Sequence, residues 1–140
     1  MELATALAFA APRRNAVLST QKRDGRPQLS NITYTLGDDG VFRISVTAVR
    51  AKYRNLLRDP RVSLHIAQDD FWAYCVIEGD ASLSPVAADP HDATVDDLVD
   101  LYRAIAGEHS DWDEYRATMV SDQRVVVRVR PTHVYGMLPA

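Results

Sequence analysis

The stretch VFRISVT, Val41 to Thr47, repeats with a period of two. Phe42, Ile44 and Val46 fall on one face, while Val41, Arg43, Ser45 and Thr47 fall on the other. A helix would scatter these apolar residues around its circumference, whereas a strand collects them on one side of a sheet. The alternation returns in Val62, Leu64 and Ile66. It returns again in Val125, Val127 and Val129, set against Arg124, Arg128 and Arg130. Several such faces in one chain predict a sheet with a core on one side.

The punctuation between the runs is short. Asp24-Gly25 reads as a hairpin turn between a strand at Val17–Thr20 and one from about Gln28 to Leu36. Gly37-Asp38-Asp39-Gly40 then turns the chain into Val41–Thr47. RAKYRNLLRDP reads as a helix, with Tyr53, Leu56 and Leu57 at helical spacing and Asp59-Pro60 ending it. Strands at Val62–Ala67 and Trp72–Leu83 follow, the second interrupted by Gly79 at a bulge or bend. Residues 85–93 read as a loop. Thr94 reads as an N-cap with Asp97 placed for a capping box. Val95, Leu98, Tyr102 and Ile105 form the apolar stripe of that helix, and Gly107 suits its end. Ser110 starts a second short helix with Trp112, Tyr115 and Met119 inward, and the last strand runs from Arg124 to Arg130. Residues 2–11 form a further short helix, broken near Pro12. Short antiparallel strands in this number favour a small barrel. With 140 residues the chain has room for one sizeable core, so 1–140 is expected to be a single domain.

Charge narrows the function. The net charge is -3, yet Arg43, Arg50, Lys52, Arg54, Arg58 and Arg61 fall in one stretch whose sole acid is Asp59. The stretch from Asp89 to Glu114 is the reverse, with Arg103 its lone arginine. A charged run is ordinarily a solvated face. A basic patch on an acidic protein also suits a small anionic ligand. It does not suit nucleic acid, since the overall charge is wrong and no basic-aromatic motif is present. No run of about 18 apolar residues offers a membrane span, and the apolar start lacks a basic region before it. The single cysteine, Cys75, cannot form an internal disulfide, which points to a reducing cytoplasm.

Three signals carry chemistry. Arg50, Lys52 and Arg54 crowd the start of a helix, where the helix dipole already places positive charge. Unanswered, each costs roughly 0.3–1 kcal/mol. An anion resolves the conflict, and phosphate is the anion that arginine binds best. The plainer alternative is a solvated, exposed helix. Gln28, Ser30 and Asn31 put polar groups on both faces of one strand. They suit the edge of a planar heterocycle, or else one wet face and a polar strand end. Trp72 and Tyr74 share a face, as core or interface packing or as the wall of a flat ligand. His65 reads as a packed or edge histidine. His91 and His109 lack metal-ligand spacing, and His133 reads as structural or as a substrate contact. Cys75 lies in an apolar strand as a buried thiol. No phosphate-loop, dinucleotide or nucleophile-elbow motif occurs. An anion-and-ring site without a catalytic triad or metal centre fits a protein whose cofactor carries the chemistry.

DGRPQLSN, RAKYRNLLRDPR, the WAY before EG, LYRAIAGEHSDW and the terminal HVYG together resemble the pyridoxamine 5′-phosphate oxidase-like split β-barrel superfamily. Within it they resemble the actinobacterial branch that binds the deazaflavin coenzyme F420, over about Val17 to Gly136. The resemblance implies a mainly β (α+β) fold: a six- to seven-stranded antiparallel split barrel with a few short helices. It implies a homodimer with two cofactor sites at the subunit interface. Arg50, Ala51, Lys52 and Arg54 would hold the cofactor phosphate. The strand with Gln28, Ser30 and Asn31 would lie against the ring, Ser45 and Val46 would line the same groove, and Trp72 and Tyr74 would reach it from the partner subunit. The implied activity is hydride transfer between F420 and an electron-poor small organic substrate, with Tyr74, His133 or water as proton donor. The alternatives are an FMN-dependent oxidase of the same superfamily and a non-catalytic F420-binding or storage protein. PRRN departs from the family pattern, with Arg13 and Arg14 where small or apolar residues are usual.

Overall fold

The computed structural model describes residues 1–139, and in it the alternating runs become strands. In chain order the elements are α1 (Leu3–Ala10), β1 (Asn15–Gln21), β2 (Pro27–Thr33), β3 (Thr35–Leu36), β4 (Phe42–Thr47), α2 (Ala51–Arg58), β5 (Arg61–Ala67), β6 (Tyr74–Leu83), α3 (Ala93–Ala106), α4 (Trp112–Ser121) and β7 (Arg124–Met137). The strands form one seven-stranded sheet in the order β2-β1-β5-β6-β7-β4-β3, with every pair antiparallel.

The two edge strands, β2 and β3, are separated by a single residue, Tyr34. A flat sheet cannot have its opposite edges joined this way, so the sheet curls until its edges meet. Tyr34 fixes the junction. Its amide donates to the Arg14 carbonyl at 2.7 Å, and its hydroxyl donates to the Ala10 carbonyl at 2.7 Å. Its ring meets Phe42 edge-on with centroids 5.3 Å apart. The expected continuous strand from Gln28 to Leu36 therefore breaks here. Gln28–Thr33 pairs with β1, and Thr35–Leu36 pairs with β4.

Leu18, Phe42, Ile44, Leu64, Ile66, Ile77 and the valines 125, 127 and 129 fill the interior. Each large apolar side chain buried this way contributes roughly 1.5–3 kcal/mol. The helix α1 covers the interior with Ala6 and Ala10, both wholly buried. On the other face of β7, Val126 packs with Val95, Leu98 and Met119 from α3 and α4. That second core makes Val126 as buried as its neighbours, which strict alternation did not predict. The β1–β2 turn holds Gly25 at φ +87, a backbone that glycine adopts without strain. The register of β6 and β7 shifts between Glu78 and Gly79. A Cβ on Gly79 would lie 2.5 Å from the Arg130 carbonyl oxygen, so a bulge with this close approach needs glycine.

Several local expectations shift. Trp72 lies in the β5–β6 turn rather than in a strand. Leu57 points outward, and Asn55 takes the buried position, donating to the Thr20 hydroxyl at 3.1 Å. Asp92, not Thr94, caps α3, accepting from the Val95 amide at 2.8 Å. The Thr94 hydroxyl instead donates to the Pro85 carbonyl. Asp111, not Ser110, caps α4, accepting from the Glu114 amide. The last strand continues to Met137 because β6 pairs with it throughout. Among the described residues no helix is long and apolar enough to cross a membrane.

Candidate functional site

The edge of β4 defines the site. β3 pairs only with Phe42 and Arg43, so beyond Arg43 the side of β4 away from β7 has no strand partner. This is the split in the barrel. Across it stands β2, whose Gln28 and Ser30 turn toward the gap. The chain leaving β4 then enters α2 at once, with Arg50 as N-cap. A groove of about 380 Å³ results, lined by Gln28, Ser30, Ser45, Val46, Thr47, Arg50, Ala51, Lys52 and Arg124. Unpaired main-chain groups of a strand edge and of a helix start both face ligands well.

The groove is electrostatically one-sided. The α2 N-terminus has no side-chain cap and no acid in its first turn. The ammonium of Lys52 is pushed below its usual range, first by burial and then by the positive charges of Arg50 and Arg124. Arg124 approaches the Asp122 carboxylate no closer than 3.8 Å. Two buried polar atoms here have no hydrogen-bond partner, Ser30 Oγ and Arg124 Nε. Buried polar atoms are nearly always paired, and each orphan costs about 1–3 kcal/mol. Both orphans line the same groove. A ligand with an anionic group and hydrogen-bonding ring edges would satisfy them, so the residues present fit a phosphate-bearing heterocycle.

Seven of the expected residues meet in this groove: Gln28, Ser30, Ser45, Val46, Arg50, Ala51 and Lys52. Four do not. Arg54 lies on the far flank of α2, donating to the Val49 carbonyl. Asn31 points to the opposite face of β2. That outer face carries a row running across five strands, Asn31, Val17, His65, Val76 and Tyr135, each opposite the next in register. Tyr74 is on this face too, stacked on His65 with centroids 5.3 Å apart. His133 also lies there, 4.0 Å from Glu78. Trp72 is 81% exposed at the turn. Neither Tyr74 nor His133 lines the groove of its own chain. Arg13 and Arg14 donate to main-chain carbonyls of residues 9, 11 and 13.

Thr47 and Arg124 are groove residues that the sequence reading did not single out. Alternation put both on the polar side of their strands. Only the register of β4 against β7, which sets Thr47 opposite Arg124, brings them beside α2. The thiol of Cys75 is pushed up to about 11 by burial and is far from a nucleophile.

The family model described as pyridoxamine 5′-phosphate oxidase matches residues 4–138. Among solved structures, an F420 reductase is 25% identical, with 92% of this chain and 94% of that one covered and a TM-score of 0.71. A conserved hypothetical protein of Mycobacterium tuberculosis is 24% identical over 100% and 90% of the two chains, with a TM-score of 0.73. The heme storage protein HutZ of Vibrio cholerae is 16% identical over 98% and 96%, with a TM-score of 0.70. The last two likenesses concern the fold.

Proposed function

From the premise that the chain belongs to the pyridoxamine 5′-phosphate oxidase family, we propose that it is a reductase using the deazaflavin coenzyme F420. The observation that carries this reading is the groove at the split of the barrel, with three cations and two orphaned polar atoms. The likeness to an F420 reductase, at 25% identity over most of both chains, supports the choice of cofactor.

When bound, the cofactor supplies hydride transfer. The chain supplies everything that positions it. Arg50, Lys52 and Arg124 neutralise the phosphate with charge-assisted hydrogen bonds, and the first amides of α2 point the same way. Gln28 and Ser30 hydrogen-bond the ring edge from β2. The free edge of β4 at Ser45 and Val46 offers main-chain donors and acceptors along the ring. An electron-poor small organic molecule takes the open side. Tyr74, His133 or water would supply a proton to the reduced substrate, the two side chains only if a second copy brought them to the groove.

The active unit is proposed to be a homodimer. The outer face of β2, β1, β5, β6 and β7 lies uncovered, and Leu29, Phe71, Trp72, Tyr135 and Met137 are exposed on it or at its rim. An apolar surface of that kind favours a partner. A second copy would bring Asn31, Trp72 and Tyr74 to the groove. The cytoplasm is the proposed compartment, in keeping with the single buried thiol.

Titration with F420 and with FMN tests the cofactor. F420 is expected to bind more tightly, and Lys52→Ala and Arg50→Ala to weaken it with the fold intact. Tighter binding of FMN would move the protein to the flavin-dependent oxidases. Unchanged affinity in both variants would remove the phosphate from this groove. Reduced F420 is then offered with quinones, nitro compounds, enones and tetrapyrroles. Tight binding without turnover on any of them would mean storage rather than catalysis.

A further inference from the structure

The residue before Arg124 has a backbone that few side chains tolerate. Gln123 sits at φ +55, in the left-handed region, where a Cβ crowds the following carbonyl. It comes directly after Asp122, the C-cap of α4, a place that glycine usually fills and asparagine sometimes does. Its side chain is exposed, so burial of that side chain does not offset the strain. Strained backbone persists where the surrounding structure fixes it, and it gathers at functional sites.

The main chain of Gln123 is what the fold uses. Its amide donates to the Val120 carbonyl at 3.1 Å, and its carbonyl accepts from the Ala48 amide at 2.9 Å. One residue on, the Arg124 carbonyl accepts from the Ala87 amide at 2.8 Å. The corner is therefore held toward β4 on one side and toward the segment after β6 on the other. Behind it, Met119 and Val120 of α4 pack with Val126 of β7. Ala48 belongs to the turn between β4 and α2. The Arg50 amide closes that turn on the Thr47 carbonyl at 3.0 Å, and the Arg54 side chain braces it at the Val49 carbonyl. Beyond the last ladder pair, Thr47 with Arg124, the bond from Ala48 to Gln123 joins the turn that delivers Arg50 and Lys52 to the corner that delivers Arg124.

We propose that Gln123 is a positioning residue for the cationic end of the groove, its left-handed conformation setting Arg124 on one wall and, through the Ala48 amide, the turn that carries Arg50 and Lys52 on the other. The proposal rests on the reading of that groove as a phosphate site and not on the identity of the ring. Three like charges do not gather unaided. The Lys52 ammonium is pushed down first by burial and then by Arg50 and Arg124, so a rigid frame has to hold the cations together before an anion arrives. Gln123 touches no ligand. It acts through its main chain, so what matters at this position is tolerance of positive φ and not the amide side chain. Asparagine and glycine tolerate that conformation, and a β-branched residue does not.

The test uses the full chain and F420, titrated at a temperature where every variant is folded, so that a loss of stability alone leaves affinity unchanged. Gln123→Asn and Gln123→Gly are expected to bind within about twofold of wild type, and Gln123→Val about tenfold more weakly, as one displaced hydrogen bond to a charged group would give. In an Arg124→Ala background the change to valine should cost about threefold or less, because one of the groups it displaces is gone. Wild-type affinity in Gln123→Val overturns the proposal. So does an equal loss in Gln123→Asn, which would assign the effect to the side chain, and so does a loss that persists in full without Arg124. If wild type does not bind F420, the cofactor reading falls and orthophosphate decides the matter by itself. Its stabilising shift in melting temperature should be kept in Gln123→Asn and shrink in Gln123→Val. Equal shifts in the two variants would overturn the positioning role, and no shift in wild type would remove the anion from the groove and this role with it.

Discussion

The Arg124 guanidinium approaches the Ser45 hydroxyl at 3.4 Å, on the face where Thr47 and Arg124 stand opposite each other in register. This contact ties the last strand of the chain to the split in the barrel. It leaves Arg124 Nε buried and without a hydrogen bond, with the Asp122 carboxylate 3.8 Å away. Arg124→Ala is expected to weaken phosphate-bearing ligands by roughly ten- to a hundredfold, the loss of about 1.5–3 kcal/mol for a hydrogen bond to a charged group. Arg124→Lys should recover only part, because an ammonium cannot form the planar fork. Fluorescence titration with F420 measures both. Wild-type affinity in Arg124→Ala would take Arg124 out of the site.

Lys52 gives the site a pH signature. Its folded pKa lies below the usual 10.5 through burial and the charges of Arg50 and Arg124. At neutral pH the crowded ammonium disfavours the folded state, and that cost is relieved as pH rises through the lowered folded pKa. A bound anion reverses the crowding and raises the pKa again, so binding takes up a proton above the lowered value. Affinity for the phosphate group should therefore fall with rising pH, beginning below 10.5. In Lys52→Arg the fall should flatten, since arginine stays charged. Affinity curves that coincide for wild type and Lys52→Arg up to pH 10.5 would count against a ligand contact by Lys52.

Tyr34 carries the closure of the sheet. Tyr34→Phe keeps the ring against Phe42 but removes one of the two hydrogen bonds that the Ala10 carbonyl accepts, leaving it the one from the Arg13 amide. The expected cost is about 0.5–1.5 kcal/mol, the net worth of one hydrogen bond. Urea unfolding should show it as a lower midpoint with an unchanged slope. A smaller loss, within about 0.5 kcal/mol, would mean that β2 and β3 are held together by other contacts.

Much of this was legible in the sequence because it depends on local pattern. The inward faces at Phe42-Ile44-Val46 and Val62-Leu64-Ile66 follow from period-two alternation. The cationic end of the groove follows from basic residues set against the helix dipole at Arg50 and Lys52. What escaped depends on pairing between distant segments. Arg124 looks like any outward arginine until β7 is laid beside β4. Asn31 and Ser30 are neighbours in sequence yet lie on opposite faces, because one residue along a strand exchanges sides. Thr94 imitates a cap, but Asp92 also accepts from the Ala88 and Asp89 amides and so wins the helix start.

The outer-face row from Asn31 to Tyr135 predicts the last result. Met137 stands opposite Tyr74 in register and is 64% exposed, at the side of that face where Trp72 also projects. Met137→Glu places a charge where a second copy would have to bury it, while the monomer can leave it in water. Dimer dissociation in sedimentation, with an unchanged circular dichroism spectrum, is the expected outcome. Cofactor affinity should fall in parallel by about tenfold, the worth of losing one or two aromatic contacts supplied in trans. The pairing of the two losses is what matters. A monomeric wild type, or a monomeric variant that binds F420 as tightly as wild type does, would leave each groove to work with its own chain alone. In that case Asn31, Trp72 and Tyr74 would have no part in binding.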